Sequence, residues 1–582
     1  MAAAGASEPR RSLAALADFV LVGDPDLSRL RLAARVVLTA LTTAACLFPA
    51  ARLLRASPVT PLLGVALGVM SVSVVKDAQP AEQRKTHLLL VVPALGAATL
   101  AAALAPYPFW AATTFVAVVA VAVAARRLGP RGSALGMLGF LAYFDAEFFG
   151  ARFGELHFAL AALVSGIGIA FVVRFGVIRE TPERLLRRSF ATLVRQARRV
   201  VRRALEPRGA SSNDGAELER ELARLNDTAL VVDQHLQTVS GSARRALRLA
   251  VLDLELAAAR VGTQTGPAGE LTTALERLEA LERAPTRGAN VPLAEQHRPS
   301  ATAASEPVVS HGRGLDPSAR RAVQAAVACA AAIAAGHVIS PNRWYWAVIS
   351  AFVVFNQVET SSDTVRRAWH RVLGTVAGVL AGDVLAYFAS GRRAVELTLL
   401  FSCMFVGFYL LRFSYAWMVF WISALLALLY ALLGRAVTPL LEIRVLETLA
   451  GAAAGALAAT VVLPTRGSTR TATLLLGLMD QLDAYLNAAL VPGRSRAELA
   501  DIGWHLEVSL NELRGTARSS SLAPFSPRTR VLELVDAASS VVLLARDTIL
   551  GGGADRNALE RLDRAVLNLG LATRAWCGGL GP

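Results

Sequence analysis

The sequence predicts an all-α, polytopic membrane protein: two six-helix transmembrane bundles in parallel tandem repeat, each followed by a cytoplasmic helical domain. Three observations carry this prediction. Of the 582 residues 54% are apolar and only 18% charged, with a mean hydropathy of +0.45, whereas a soluble domain averages about 25% charged residues. Apolar runs suited to about 30 Å of hydrocarbon fall in two clusters of six. Behind each cluster lies a long, charge-rich stretch with helical periodicity.

In chain order, residues 1–28 read as a polar cytoplasmic segment without the short apolar core and small-residue cleavage site of a signal peptide. The first membrane segment then acts as its own insertion signal. The first bundle covers 29–178, with helices near Leu30–Ala50, Pro58–Val75, Thr86–Ala105, Tyr107–Ala125, Ser133–Phe149 and Leu156–Ile178. A cytoplasmic helical domain, 179–284, opens at Thr181-Pro182-Glu183, a capping threonine, a first-turn proline and an acid. A Pro/Ser/Gly-rich linker fills 285–318. The second bundle, 319–465, has helices near Arg321–Ile339, Trp344–Val358, Val372–Ala389, Val395–Leu411, Tyr415–Leu433 and Arg444–Leu463, and 466–582 forms the C-terminal cytoplasmic helical domain. The second helix of each cluster is barely long enough to span.

Sequence matches support duplication. Ala216-Glu217-Leu218 corresponds to Ala497-Glu498-Leu499, and Ala274-Leu275-Glu276-Arg277-Leu278 to Ala558-Leu559-Glu560-Arg561-Leu562, in the same order within the same plan. Loop arginines and lysines of the first cluster, with the arginine-loaded stretch after its sixth helix, place both termini in the cytoplasm of a cell whose inner membrane holds the chain. Six helices per repeat return the chain to the side it started from, so the repeats are parallel.

Composition also narrows function. Fifty-eight of the sixty basic residues are arginine, a skew matching coding bias in an Ala- and Gly-rich chain, so the net charge of +15 is not read as nucleic-acid binding. Neither Lys76 nor Lys85 lies in a Gly-x-x-x-x-Gly-Lys-Ser/Thr loop, which leaves no Walker ATPase. The four cysteines form no CxxC pair, and no metal, cofactor or nucleophile–base pattern appears. The chain is therefore expected to be neither an enzyme nor a cofactor protein.

An ionisable group in a bilayer costs at least about 2.5–3.5 kcal/mol on insertion scales, so it tends to face a cavity or a partner. Asp383, inside the ninth predicted helix, is the leading candidate for a proton-exchanging group; its alternative role is a rim residue. Arg444 and Glu447, three residues apart at the start of the twelfth helix, share a face and are placed either to neutralise each other or to act in proton coupling. Asp145 and Glu147 read as a solvated outer loop end. Trp344, Tyr345 and Trp346 suit a membrane–water boundary. Gly374, Gly378 and Gly382 recur every four residues as a ridge for close packing, with Arg366, Arg367 and Arg371 at its cytoplasmic end. The short second helices carry Pro61, Gly64 and Gly68 in the first half, and paired short or interrupted helices point to a substrate site.

The Tyr345-Trp346-Ala347 opening, the arginine-rich turn and Arg371-x-x-Gly374-Thr375-x-x-Gly378 resemble the FUSC family, named for fusaric acid resistance proteins and related to aromatic acid exporters. Glu442-x-Arg444-x-x-Glu447-Thr448-x-x-Gly451 with Pro464 is similar to that family's last membrane helix. The resemblance covers Arg320 to Pro464; in the first half Thr60-Pro61-Leu62 stands where Tyr-Trp-Ala would, and only Gly96 after Pro93 answers to the glycine helix. It implies proton-coupled efflux of an aromatic or other amphipathic organic anion, with Tyr345, Trp346, Phe355, Arg366, Arg367, Arg371, Gly374, Thr375 and Gly378 along the pathway and Asp383, Glu447 and Arg444 in proton coupling. The implied partners are the lipid bilayer and that anion; a second copy or an accessory envelope protein is left open. A major facilitator fold lacks its expected turn motif between Val75 and Lys85. The remaining alternative is a membrane-anchored interaction scaffold with no transport.

Overall fold

The computed structural model describes residues 24, 27–57, 59–77, 79–150, 153–179, 182–205, 212–236, 242–262, 267–283, 317–341, 343–355, 361–411, 413–432, 437–463, 467–491, 494–521, 528–550 and 556–578. The expected N-terminal segment and linker fall almost wholly outside these residues, as do Thr181 and Pro464. The described residues are helical, with no strand among them, and they form two compact units: 28–179 with 312–466, and 1–27 with 180–311 and 467–582.

The first unit is apolar. Its helices are α1 (Ser28–Leu53), α2 (Thr60–Val74), α3 (Pro80–Leu104), α4 (Pro108–Ala124), α5 (Gly129–Phe149) and α6 (Leu156–Val172). The second stretch of this unit adds, after the intervening helices α7 to α10 described below, α11 (Pro317–Ile339), α12 (Tyr345–Phe355), α13 (Ser361–Ala389), α14 (Arg393–Leu410), α15 (Tyr415–Leu432) and α16 (Val437–Val461). Among the described residues nine helices are long and apolar enough to cross a membrane, and α2 and α12 are shorter apolar helices. The chain is a multi-pass helical membrane protein. One of the nine, Pro108–Phe149, folds back on itself: a 3₁₀ turn at Ala125–Leu128 and Gly129 at φ +76° reverse the chain. The Tyr143 hydroxyl then donates to the Ala111 carbonyl at 2.9 Å.

Two expectations change here. Helix α3 begins at Pro80 rather than near Thr86, because proline is at home in a first turn and Glu82 follows it there; Arg84 and Lys85 are thus helical and not in a loop. Gly64 and Gly68 do not interrupt α2. They bring it against α6, where a Cβ on Gly68 would stand 2.8 Å from the Gly166 carbonyl.

Both halves of this unit pack alike. The first helix of each lies on the second, the second on the sixth, the third on the fifth and the fourth on the fifth. Between halves the contact is reciprocal, with α1 on α14 and α4 on α11. One apolar core runs through both, and the Phe140 ring of α5 stacks on Phe352 of α12 with centroids 3.7 Å apart.

The second unit is charged. Helices α7 (Pro182–Leu205), α8 (Ser212–Leu236), α9 (Ser242–Gly262) and α10 (Ala268–Arg283) form one ring of four neighbours, and α17 (Gly467–Leu490), α18 (Arg496–Ser521), α19 (Arg528–Leu550) and α20 (Arg556–Gly578) form another. Each buries its own leucine- and valine-rich core. The rings meet through Leu252, Leu256, Ala500 and Leu550.

Candidate functional site

The site assembles where α12, α13 and α16 converge in the second half of the apolar unit. Close approach of backbones makes this possible. On α13 a Cβ at Gly374 would lie 2.7 Å from the Ala416 carbonyl, one at Gly378 would collide with the Phe420 carbonyl, and one at Gly382 would lie 2.7 Å from the Ala424 Cα, so α13 rests directly on α15. Gly451 seats α16 against the Ala347 carbonyl of α12 in the same way. In the first half Gly96 has open space about it and makes no such contact.

Those contacts carry ionisable groups deep into apolar surroundings. Glu447 is fully buried, Arg444 is 4% exposed and Arg371 8%. The guanidinium of Arg444 lies 4.1 Å from the centroid of the Trp346 ring. Its Nε and Nη1 have no hydrogen-bond partner among the described residues, and neither carboxylate oxygen of Glu447 has one. The pair expected from their spacing does not form a salt bridge; Arg444 turns to the indole instead. Arg371 Nε donates to the Ser350 hydroxyl and Nη1 to the Tyr415 hydroxyl, each at 3.4 Å. These are long bonds to neutral groups, and they leave the charge uncompensated. Arg371 is close enough to Arg444 to act on it electrostatically, as Arg343 acts on Glu447. Thr375, one turn beyond Arg371 and so on its face, is buried with an unpartnered hydroxyl. Two buried cations beside one buried acid leave a net positive charge.

The remaining expected residues sit around this cluster. Arg367 lies 4.3 Å from the centroid of the Tyr415 ring. Arg366 is half exposed and pairs with Asp363 at 3.2 Å. Tyr345 and Trp346 are buried against Phe144 and Phe148 of α5. Phe355 is buried at the other end of α12, where its carbonyl accepts from Arg126 of the first half at 3.2 Å. Asp383 stands apart from the cluster: it lies twelve residues beyond Arg371, about 18 Å along α13, and is half-buried.

The sequence reading missed the first half's part in this site. Phe140, Phe144 and Phe148 recur every fourth residue on α5 and wall the Trp346 side; that spacing was the available signal. Ser350 and Tyr415 gave none. Asp145, expected in a solvated loop end, is buried within α5, because it lies between Phe144 and Phe148, whose rings pack on Tyr345 and Trp346. No group of three or more potential metal ligands occurs among the described residues.

A multi-pass membrane protein with a buried, net-positive cluster in its second half is the class these features define. Residues 308–458 match the family described as fusaric acid resistance protein-like, the segment that holds α11 to most of α16. No curated protein and no solved structure matches the chain.

Proposed function

We propose that the chain exports amphipathic organic anions, aromatic carboxylates foremost, from the cytoplasm across the inner membrane at the expense of the proton gradient. The observation that carries the reading is the pair Arg371 and Arg444, buried without a carboxylate partner among the described residues, with Arg444 over the Trp346 ring and Arg371 held only by the Ser350 and Tyr415 hydroxyls. An unpaired charge in a low-dielectric interior costs several kcal/mol. Such a cost is met when an anion arrives, and a guanidinium is shaped to take a carboxylate through two donors. An aromatic body suits the phenylalanine and tryptophan side chains nearby. Glu447, beside the guanidinium groups, is better placed than the distant Asp383 to trade a proton for the anion: protonated it leaves the cations free for substrate, ionised it competes for them.

The reading includes two parallel six-helix bundles, 29–178 and 319–465, joined through the linker 285–318 and carrying cytoplasmic helical domains 179–284 and 466–582, with both termini cytoplasmic. Like packing within the halves and reciprocal packing between them support that arrangement, since a two-fold axis along the membrane normal produces both. The family match supports the transport assignment, with the second half as the substrate-bearing one.

Binding of radiolabelled benzoate to the purified full chain tests the proposal. A hydrogen bond to a charged group contributes about 1.5–3 kcal/mol, so Arg444→Gln and Arg371→Gln should each weaken binding about 10- to 100-fold, and Arg444→Lys less. Unchanged affinity in both glutamine variants would overturn the site. No binding of any aromatic carboxylate by a folded protein that co-purifies with a stable partner would favour the scaffold.

A further inference from the structure

Helix α7 separates its residues sharply. Phe190, Leu193, Val194, Ala197, Val200 and Val201 enter the core of its four-helix ring, and the opposite side is arginine. Arg184, Arg187, Arg188, Arg195, Arg199 and Arg202 fall within about 120° of one another at 100° per residue. Together they make a stripe about 27 Å long. None has an ion-pair partner among the described residues, and only Arg199 is other than exposed. The two remaining arginines of the helix pair with acids: Arg198, within the same arc, with Glu279 at 2.7 Å, and Arg203, outside it, with Glu217.

Coding bias does not account for this. The helix that follows the second apolar stretch, α17, holds one arginine, Arg470, paired with Glu512 at 2.8 Å, and carries Asp480 and Asp483 besides. Had arginine simply spread through the chain, both helices would show it. The stripe also has a particular place in the sequence. The apolar helical stretch Phe153–Val177 ends seven residues before Arg184, no more than about 25 Å of extended chain.

We propose that the arginine face of α7 docks on the headgroups of anionic phospholipids in the leaflet next to the end of α6. The charges are complementary, the phosphates lie within reach of the tether, and a juxtamembrane cluster of four to eight basic residues is the pattern that anionic lipid attracts. Each guanidinium offers phosphate a forked pair of donors. The proposal is independent of what the apolar unit transports.

Footprinting of the full chain tests it. The protein is placed in nanodiscs of neutral phosphatidylcholine alone or with roughly a third phosphatidylglycerol, and phenylglyoxal modification is followed at each arginine by mass spectrometry. The stripe should react about threefold or more slowly in the anionic discs, while Arg224, Arg277 and Arg494 keep their rates, and about 0.5 M salt should abolish the difference. Replacing Arg184, Arg187 and Arg188 together by Gln should speed modification of Arg195, Arg199 and Arg202 in anionic discs only, with the melting temperature unchanged. Equal stripe rates in the two lipids would overturn the proposal. So would equal protection in both, which means a protein surface covers the stripe, or protection that appears only on adding an acidic polypeptide or an oligonucleotide.

Discussion

Glu447 has neither a hydrogen bond nor an ion pair among the described residues, although it lies fully buried within reach of a guanidinium three residues before it. Arg444 spends its charge on the Trp346 face, an interaction that reaches about 2 kcal/mol when desolvated. In the proposed function the proton exchanged for substrate resides on this carboxyl. Glu447→Gln, which keeps the shape and removes the titration, should leave benzoate binding at acidic pH near the wild-type level and flatten its decline as pH rises. The same titration run on Asp383→Asn should keep the wild-type slope. If the slope survives in Glu447→Gln and vanishes in Asp383→Asn, the coupling group is the other one. Before the structure, spacing put Arg444 and Glu447 on one face but could not show which way the guanidinium turns, because the competing indole comes from a helix nearly a hundred residues earlier.

Among the elements, α13 shows how a sequence ridge becomes a close helix contact. Gly374, Gly378 and Gly382 remove the side chains that would hold α13 off α15, and Arg371 and Thr375 sit on the same helix within a turn of them. Overpacking of a tight contact costs about 1–3 kcal/mol. Gly378→Leu, whose Cβ meets the Phe420 carbonyl, should therefore lower the unfolding temperature of the purified chain and weaken benzoate binding with it. Gly96→Leu, built into open space, should do neither. The glycine period was readable from the sequence, as were the shortness of α2 and α12 and nearly every helix of the apolar unit. What Gly64 and Gly68 do was not. The same residue that marks a break in one helix marks a close crossing in another, and only the neighbour at Ala162 and Gly166 decides between them. Asp145 was misread for a related reason: two acids near a helix end suggest water, but this end of α5 packs into the aromatic rings of α12.

At the scale of the whole molecule, each unit joins its two halves differently. The apolar unit does so through one shared core and reciprocal helix contacts, which give the first half an aromatic wall at the second half's site. The charged unit does so through the small apolar contact of Leu252, Leu256, Ala500 and Leu550 and through ion pairs. Arg546 reaches Glu255 of the other ring at 2.9 Å and Glu507 of its own. Arg260 joins Asp547 at 2.7 Å, and Arg496 joins Asp253 at 2.5 Å. Removing one member of a buried ionic group strands the others and costs on the order of 3–5 kcal/mol. Arg546→Ala should thus separate or melt the two rings at markedly lower urea, measured by helical circular dichroism of the full chain, whereas Arg494→Ala, on an exposed residue, should change nothing. The sequence predicts two charged helical stretches. It could not show that they adhere, since the partners lie 243 to 291 positions apart.

Transport itself gives the most direct test. Proteoliposomes loaded with radiolabelled benzoate and given an inward-directed proton gradient should lose label in proportion to protein. Loss should fall at least tenfold in Arg371→Gln and Arg444→Gln, in line with the binding energies of single charged contacts, and should stop when the gradient is collapsed. Efflux that equals protein-free vesicles, or that is unaffected by either arginine, would contradict the account.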